Sequence, residues 1–158
     1  MFLLKDFVKM YLHPEQIIAI SCTEADEADN EVKYTGQCDK LPEEYGNIPV
    51  EYIKINGHPC DSNTLCIECP YFEDSRWDKI IPLIPKDVIE VFANYRMSLD
   101  GFVNNFLHDG QYIEVFDTSV DKDGQCVYAG RFDSIPPELS ERMVQSISGA
   151  NHVVSAYI

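Results

Sequence analysis

The chain has 158 residues, 45% of them hydrophobic and 11% aromatic, with a net charge of −15 and a pI near 4.4. That apolar content excludes a disordered chain, and the length suits one ordinary domain or two small ones. The charge opposes binding to a nucleic-acid backbone or an anionic membrane and favours a basic partner.

Taken in chain order, Leu4, Phe7, Val8, Tyr11 and Leu12 recur at the spacing of one helical face. His13-Pro14 closes that helix, because the residue before a proline avoids the α region. Gln16–Cys22 reads as a buried strand and Val32–Gly36 as its hairpin partner, joined by the acidic loop Thr23–Glu31. Lys40–Asn47 reads as a turn or a single helical turn. Val50–Ile55 alternates as a half-buried strand, Asn56–Pro59 turns, and Leu65–Cys69 is a fourth strand ended by Pro70. Pro85–Arg96 has proline at a helix N-terminus and Val88, Ile89, Val91, Phe92 and Tyr95 as an apolar side, which predicts a docked helix. Ser98 is the expected N-cap of a further helix, whose stripe is Leu99, Phe102, Val103, Phe106 and Leu107. Tyr112–Phe116 and Cys126–Gly130 form a hairpin around Asp121–Gly124, where Asp-Gly suits a position of positive φ. A short helical turn begins at Ser134, and strands follow at Val144–Ser148 and His152–Ile158.

These elements form an internal repeat. Leu99–Val115 restates Leu4–Ile20 at a constant offset of 95. Tyr34-Thr-Gly36 returns as Tyr128-Ala-Gly130, Leu41-Pro42 as Ile135-Pro136, and Asn63-Thr-Leu65 aligns with Asn151-His-Val153. The first copy is longer near its end, by His58–Ser62 and a neighbour. The expected fold is α+β: two tandem units, residues 1–69 and 98–158, joined by the helical connector 70–97. Each unit is expected to be one helix packed on a small antiparallel sheet, in the order α-β-β-turn-β-β. The recurring His13 and His108 read as helix ends that donate to a free carbonyl. Gln16 and Gln111 read as amides that satisfy backbone groups, and Gly36 and Gly130 as a bulge or a close-packing point beside the core tyrosines.

Of the six cysteines, three cluster as Cys60, Cys66 and Cys69 behind His58. Thiolates with one imidazole are the ligand set of a structural zinc, with His58 or Cys38 as the fourth ligand. The repeat places Cys66 and Cys69 on a strand, where positions three apart face opposite ways, so one of them would be core. The alternatives are a zinc site, buried thiols or a redox pair. Met1–Lys5 is apolar but is interrupted by Asp6 and Lys9, which does not read as a secretory signal. A cytoplasmic location with reduced cysteines is therefore expected.

Catalytic signals are absent: there is no nucleophile elbow, no phosphate-cradling glycine loop, and the Asp117–Asp123 spacing fails that of a calcium loop. The remaining signal is acidic. Glu24, Asp26, Glu27, Asp29 and Glu31 crowd the first hairpin, and Asp117, Asp121 and Asp123 crowd its counterpart. Carboxylates spaced on a rigid frame imitate a phosphate backbone. These eight are the candidate partner-binding residues of a non-enzymatic module that takes no cofactor beyond the zinc alternative.

The pattern Leu99, Phe102, Val103, Leu107, Gln111, Ile113, Val115, Tyr128, Gly130, Ile135, Pro136, Val144 and Ile147 resembles small acidic proteins of phages, plasmids and integrative elements of Gram-positive bacteria. That resemblance covers both units and implies an anti-defence inhibitor, anti-CRISPR proteins included. It carries no catalytic residue across. The partner it implies is a basic, nucleic-acid-binding host protein.

Overall fold

The computed structural model describes residues 2–22, 31–54, 64–69, 96–119, 121–150 and 153–158, with the backbone alone at Cys22, Glu31, Lys54 and Ala150. The expected connector helix and most of the first acidic loop lie outside these residues. Helix α1 (Leu4–Tyr11) buries Leu4, Phe7, Val8 and Tyr11, and helix α2 (Leu99–Phe106) buries Leu99, Phe102, Val103 and Phe106. Ser98 caps α2 as expected, its Oγ accepting from the Gly101 N–H at 3.2 Å.

Each helix leads into a four-stranded sheet. In the first repeat the strands are β1 (Ile17–Cys22), β2 (Glu31–Gln37), β3 (Tyr52–Lys54) and β4 (Leu65–Cys69), in the order β2-β1-β4-β3. In the second they are β5 (Tyr112–Asp117), β6 (Gln125–Arg131), β7 (Ser146–Ala150) and β8 (Val153–Tyr157), in the order β6-β5-β8-β7. The hairpins are antiparallel, but the two central strands of each sheet, β1 with β4 and β5 with β8, run parallel. This corrects the expectation of an antiparallel sheet. Side-chain alternation has the same period in either strand direction, so it cannot register the difference. The direction is set by residues 38–51 and 132–145, which carry the chain the length of the sheet before the second hairpin begins.

Those crossovers contain short helical turns, at Cys38–Lys40 and Glu43–Tyr45 in the first repeat. The second has a turn at Phe132–Ser134 and the four-residue helix α3 (Pro137–Ser140). Both are pinned to the residues before the main helix. Leu4 N–H donates to Ile48 O at 2.7 Å and Val50 N–H to Phe2 O at 2.9 Å. The same bonds recur as Leu99 to Arg142 at 2.8 Å and Val144 to Met97 at 2.9 Å. The repeat is therefore a repeat of hydrogen bonds as well as of letters. Register corrects the sequence alignment by one residue at its end: Ile18 pairs with Leu65 and Ile113 with Val154, so Leu65 corresponds to Val154 and not to Val153.

The Tyr-x-Gly pair is a close approach. Tyr34 Oη donates to Gln37 O at 2.8 Å and Tyr128 Oη to Arg131 O at 2.5 Å, each ring crossing the intervening glycine. A Cβ would lie 2.6 Å from the Tyr34 hydroxyl at Gly36 and 2.7 Å from that of Tyr128 at Gly130. The bulges fall one residue before the tyrosines, at Lys33 and Val127, which the register skips.

The two repeats share one core. Ring centroids of Phe7 and Phe106 are 5.2 Å apart, those of Tyr11 and Phe102 5.7 Å, and those of Phe2 and Phe106 5.9 Å. The Tyr11 hydroxyl accepts the Met97 N–H at 3.0 Å, and burial pushes its pKa up. Among the described residues no helix is long and apolar enough to cross a membrane.

Candidate functional site

The acidic hairpin of the second repeat divides into a neutralised base and an exposed tip. At the base, Asp117 is held by both Arg142 nitrogens, at 2.5 and 2.9 Å, and accepts the Ser119 N–H at 2.8 Å. The guanidinium holds the Asp117 carboxyl well below the usual carboxylate range. Asp117 is thus engaged within the chain. At the tip, Asp121 Oδ1 accepts the Asp123 N–H at 3.2 Å, and Gly124 supplies the expected positive φ, 75°. Asp121 and Asp123 are exposed. Of the first hairpin's candidates, Glu24, Asp26, Glu27 and Asp29 lie outside the described residues, and Glu31 opens β2 with only its backbone described.

His108 and the repeated Gln form a joint between the units, and neither histidine is a helix-end donor to a free carbonyl as expected. The helices stop at Tyr11 and Phe106, before either imidazole. His108 Nε2 lies 3.1 Å from Glu68 Oε2 on β4 of the other repeat, with side-chain exposures of 47% and 7%. Its ring stacks on Tyr52 at 4.2 Å. His13 instead accepts the Glu15 N–H through Nδ1, at 3.4 Å. The glutamines bind local backbone as expected, Gln111 accepting the His108 N–H at 3.2 Å and Gln16 donating to Ile17 O at 3.0 Å. They also reach across the repeat: Gln111 donates to Ile53 O on β3, and Gln16 accepts from Gly149 N–H on β7, both at 3.4 Å. Single-copy spacing could not reveal this swap, because each donor and its acceptor lie in different repeats.

Cys66 and Cys69 are both buried on β4. Cys69 faces the shared core. Cys66 is disulfide-bonded, to a cysteine whose side chain is outside those described. This corrects, for Cys66, the expectation of reduced cysteines. A sulfur in a disulfide is no thiolate ligand, so His58, Cys60, Cys66 and Cys69 could form a zinc set only after reduction. His58 and Cys60 lie outside the described residues. Among the described residues no group of three or more His, Cys, Asp or Glu is placed to hold a metal. Cys38 is a buried thiol whose Sγ donates to His13 O at 3.0 Å, and burial pushes its pKa up.

Repeat divergence shows best in two related grooves between helix and crossover, each of about 400 Å³. The first is lined by Lys5, Val8, Cys38, Leu41 and Pro42. The second has Asp100, Val103, Phe132 and Ile135 at its counterpart walls, with Asp109 and Asp133 beside them. Lys5 of the first groove, which also has Glu43 at its lining, is replaced by Asp100 on the same frame in the second. Comparison with family models, curated proteins and solved structures finds no match. The site's meaning therefore rests on its own chemistry: exposed carboxylates on a hairpin whose base is locked by an ion pair.

Proposed function

We propose that the protein is a non-enzymatic binding module that inhibits or regulates a basic, nucleic-acid-binding protein, of the anti-defence kind that the resemblance to phage and mobile-element proteins implies. The observation that carries this reading is the β5–β6 hairpin of a chain with net charge −15: Arg142 holds its base, while Asp121 and Asp123 stand exposed at its tip. Carboxylates presented on a fixed frame meet a cationic surface without the entropy loss of ordering a loose loop. Long-range attraction from the net charge would raise the association rate with such a partner.

The test is capture from bacterial lysate on the immobilised chain, eluted with a salt gradient. A basic nucleic-acid-binding protein should be retained at low salt and released as salt rises. A variant with Asp121→Asn and Asp123→Asn, combined with Glu24→Gln, Asp26→Asn, Glu27→Gln and Asp29→Asn, should retain markedly less. Retention of nothing basic, or equal retention by the neutralised variant, refutes the reading.

A further inference from the structure

We propose that β6 is a docking edge, on which an extended Lys- or Arg-bearing segment of a partner adds as a further strand of the second sheet. This rests on the basic-partner reading above and deepens it by naming where and how the partner binds.

Each sheet has two edges, β2 and β3 in the first and β6 and β7 in the second. Three of the four are met by a side chain from another element. Gln111 donates to Ile53 O on β3, and Gln16 accepts from Gly149 N–H on β7. On β2 the Tyr45 hydroxyl donates to the carbonyl of the bulge residue Lys33, at 3.2 Å. Among the described residues no side chain from another element reaches the backbone of β6. The cause is one substitution within the repeat: Leu139 stands where the first copy has Tyr45, and it has no hydroxyl to offer the equivalent bulge at Val127. An uncapped edge presents unpaired N–H and C=O groups that an extended chain can complete.

The surroundings of the edge select the occupant. The one charged residue of Gln125–Arg131 is Arg131, and its guanidinium is paired with Asp133 at 2.7 Å, so an added cationic strand does not meet it as a bare like charge. Val127, on the edge strand itself, is 40% exposed and gives an apolar seat. Asp121 and Asp123 flank one end and favour cations there. A second copy is the disfavoured occupant, since edge-to-edge pairing would bring two chains of −15 together with their acidic tips at the seam. An extended segment that alternates apolar residues with lysine or arginine satisfies backbone, seat and charge together.

The probe is the synthetic peptide Lys-Val-Lys-Val-Lys-Val-Lys, titrated into the full chain with hydrogen exchange read at each amide. The expected result is binding with added protection along Gln125–Arg131, and weaker binding of heptalysine, which has no apolar side chain for the seat. Val127→Asn, which removes the exposed apolar seat on the edge strand, should weaken binding about fivefold. If that variant does not fold, Leu139→Tyr carries the test: it restores the donor of the first repeat and should weaken binding in the same sense. Binding without protection at β6, unmoved by either folded variant, overturns the docking edge and leaves the basic-partner reading standing. Equal binding of a Glu/Val peptide overturns the charge selection. No binding of any basic peptide, together with an empty lysate capture, overturns both.

Discussion

At the scale of the residue, Asp117 and Arg142 decide what the acidic hairpin can do. Ile48 occupies the position of Arg142 in the first repeat and is buried at 1% exposure, so one copy fills with hydrocarbon a place that the other fills with an ion pair. The sequence displayed Asp117 as one of a row of tip acids; its cation, 25 residues away, was not legible because a crossover intervenes. The pair makes a pH prediction. The Asp117 carboxyl titrates below its ordinary value of 3.8, so its stabilising effect is complete above that value and is lost as pH falls towards the folded-state value. Asp117→Asn should lower the melting temperature at neutral pH, and the gap from the unaltered chain should narrow steadily once the pH drops below the ordinary carboxylate range. Thermal melts from pH 7 to pH 2 check this, and a gap of constant width would assign the loss to packing instead. Cys66 teaches the same lesson: the repeat put it on a strand and one of Cys66 and Cys69 in the core, but its oxidation was not legible, since spacing alone left a zinc site, buried thiols and a redox pair open.

At the scale of the element, helices and hairpins were legible and their assembly was not. The stripes at Leu4 and Leu99 located both helices, and Asp-Gly located the β5–β6 turn, because these are local signals. The parallel pairing of β1 with β4 depends on where a crossover delivers the chain, which no local pattern records. The one-residue slip at Leu65 came from aligning across an insertion on asparagine and threonine, without the register that alternation supplies. The recurrence of His13 and His108 was likewise visible while their unlike roles were not. His108 joins the repeats through Glu68 and Tyr52, whereas His13 serves a local backbone N–H. His108→Ala should therefore destabilise the chain by about 1 kcal/mol, the loss of a hydrogen bond to a buried carboxylate and of a ring stack, discounted for the half-exposed ring. His13→Ala should stay within about 0.5 kcal/mol of the unaltered chain. Urea unfolding of the two variants decides it: equal costs would mean that the joint adds nothing beyond what any residue at a helix end provides.

At the scale of the molecule, the repeats are two copies of one plan that cannot be finished separately. A unit of this length buries too little surface to be stable with ease. Here each also leaves its best apolar surface to the other. Phe102 and Phe106 complete the aromatic cluster of Phe2, Phe7 and Tyr11, the Met97 N–H is met by Tyr11, and the inner edge strands β3 and β7 are each met by a glutamine of the opposite repeat. Separation would expose those rings to water at a cost of about 1.5–3 kcal/mol for each fully buried aromatic side chain, close to the whole stability of a small domain. A fragment of residues 98–158 should accordingly keep strand and helix signal in far-ultraviolet circular dichroism but lose near-ultraviolet signal and bind a hydrophobic dye. Mixing it with a fragment of residues 1–97 should restore a cooperative melt and abolish dye binding, because the surfaces each lacks are those the other carries. A cooperative melt of the second fragment alone would show that its core closes without the first, and the shared aromatic cluster would then be a contact between finished domains instead of the centre of one.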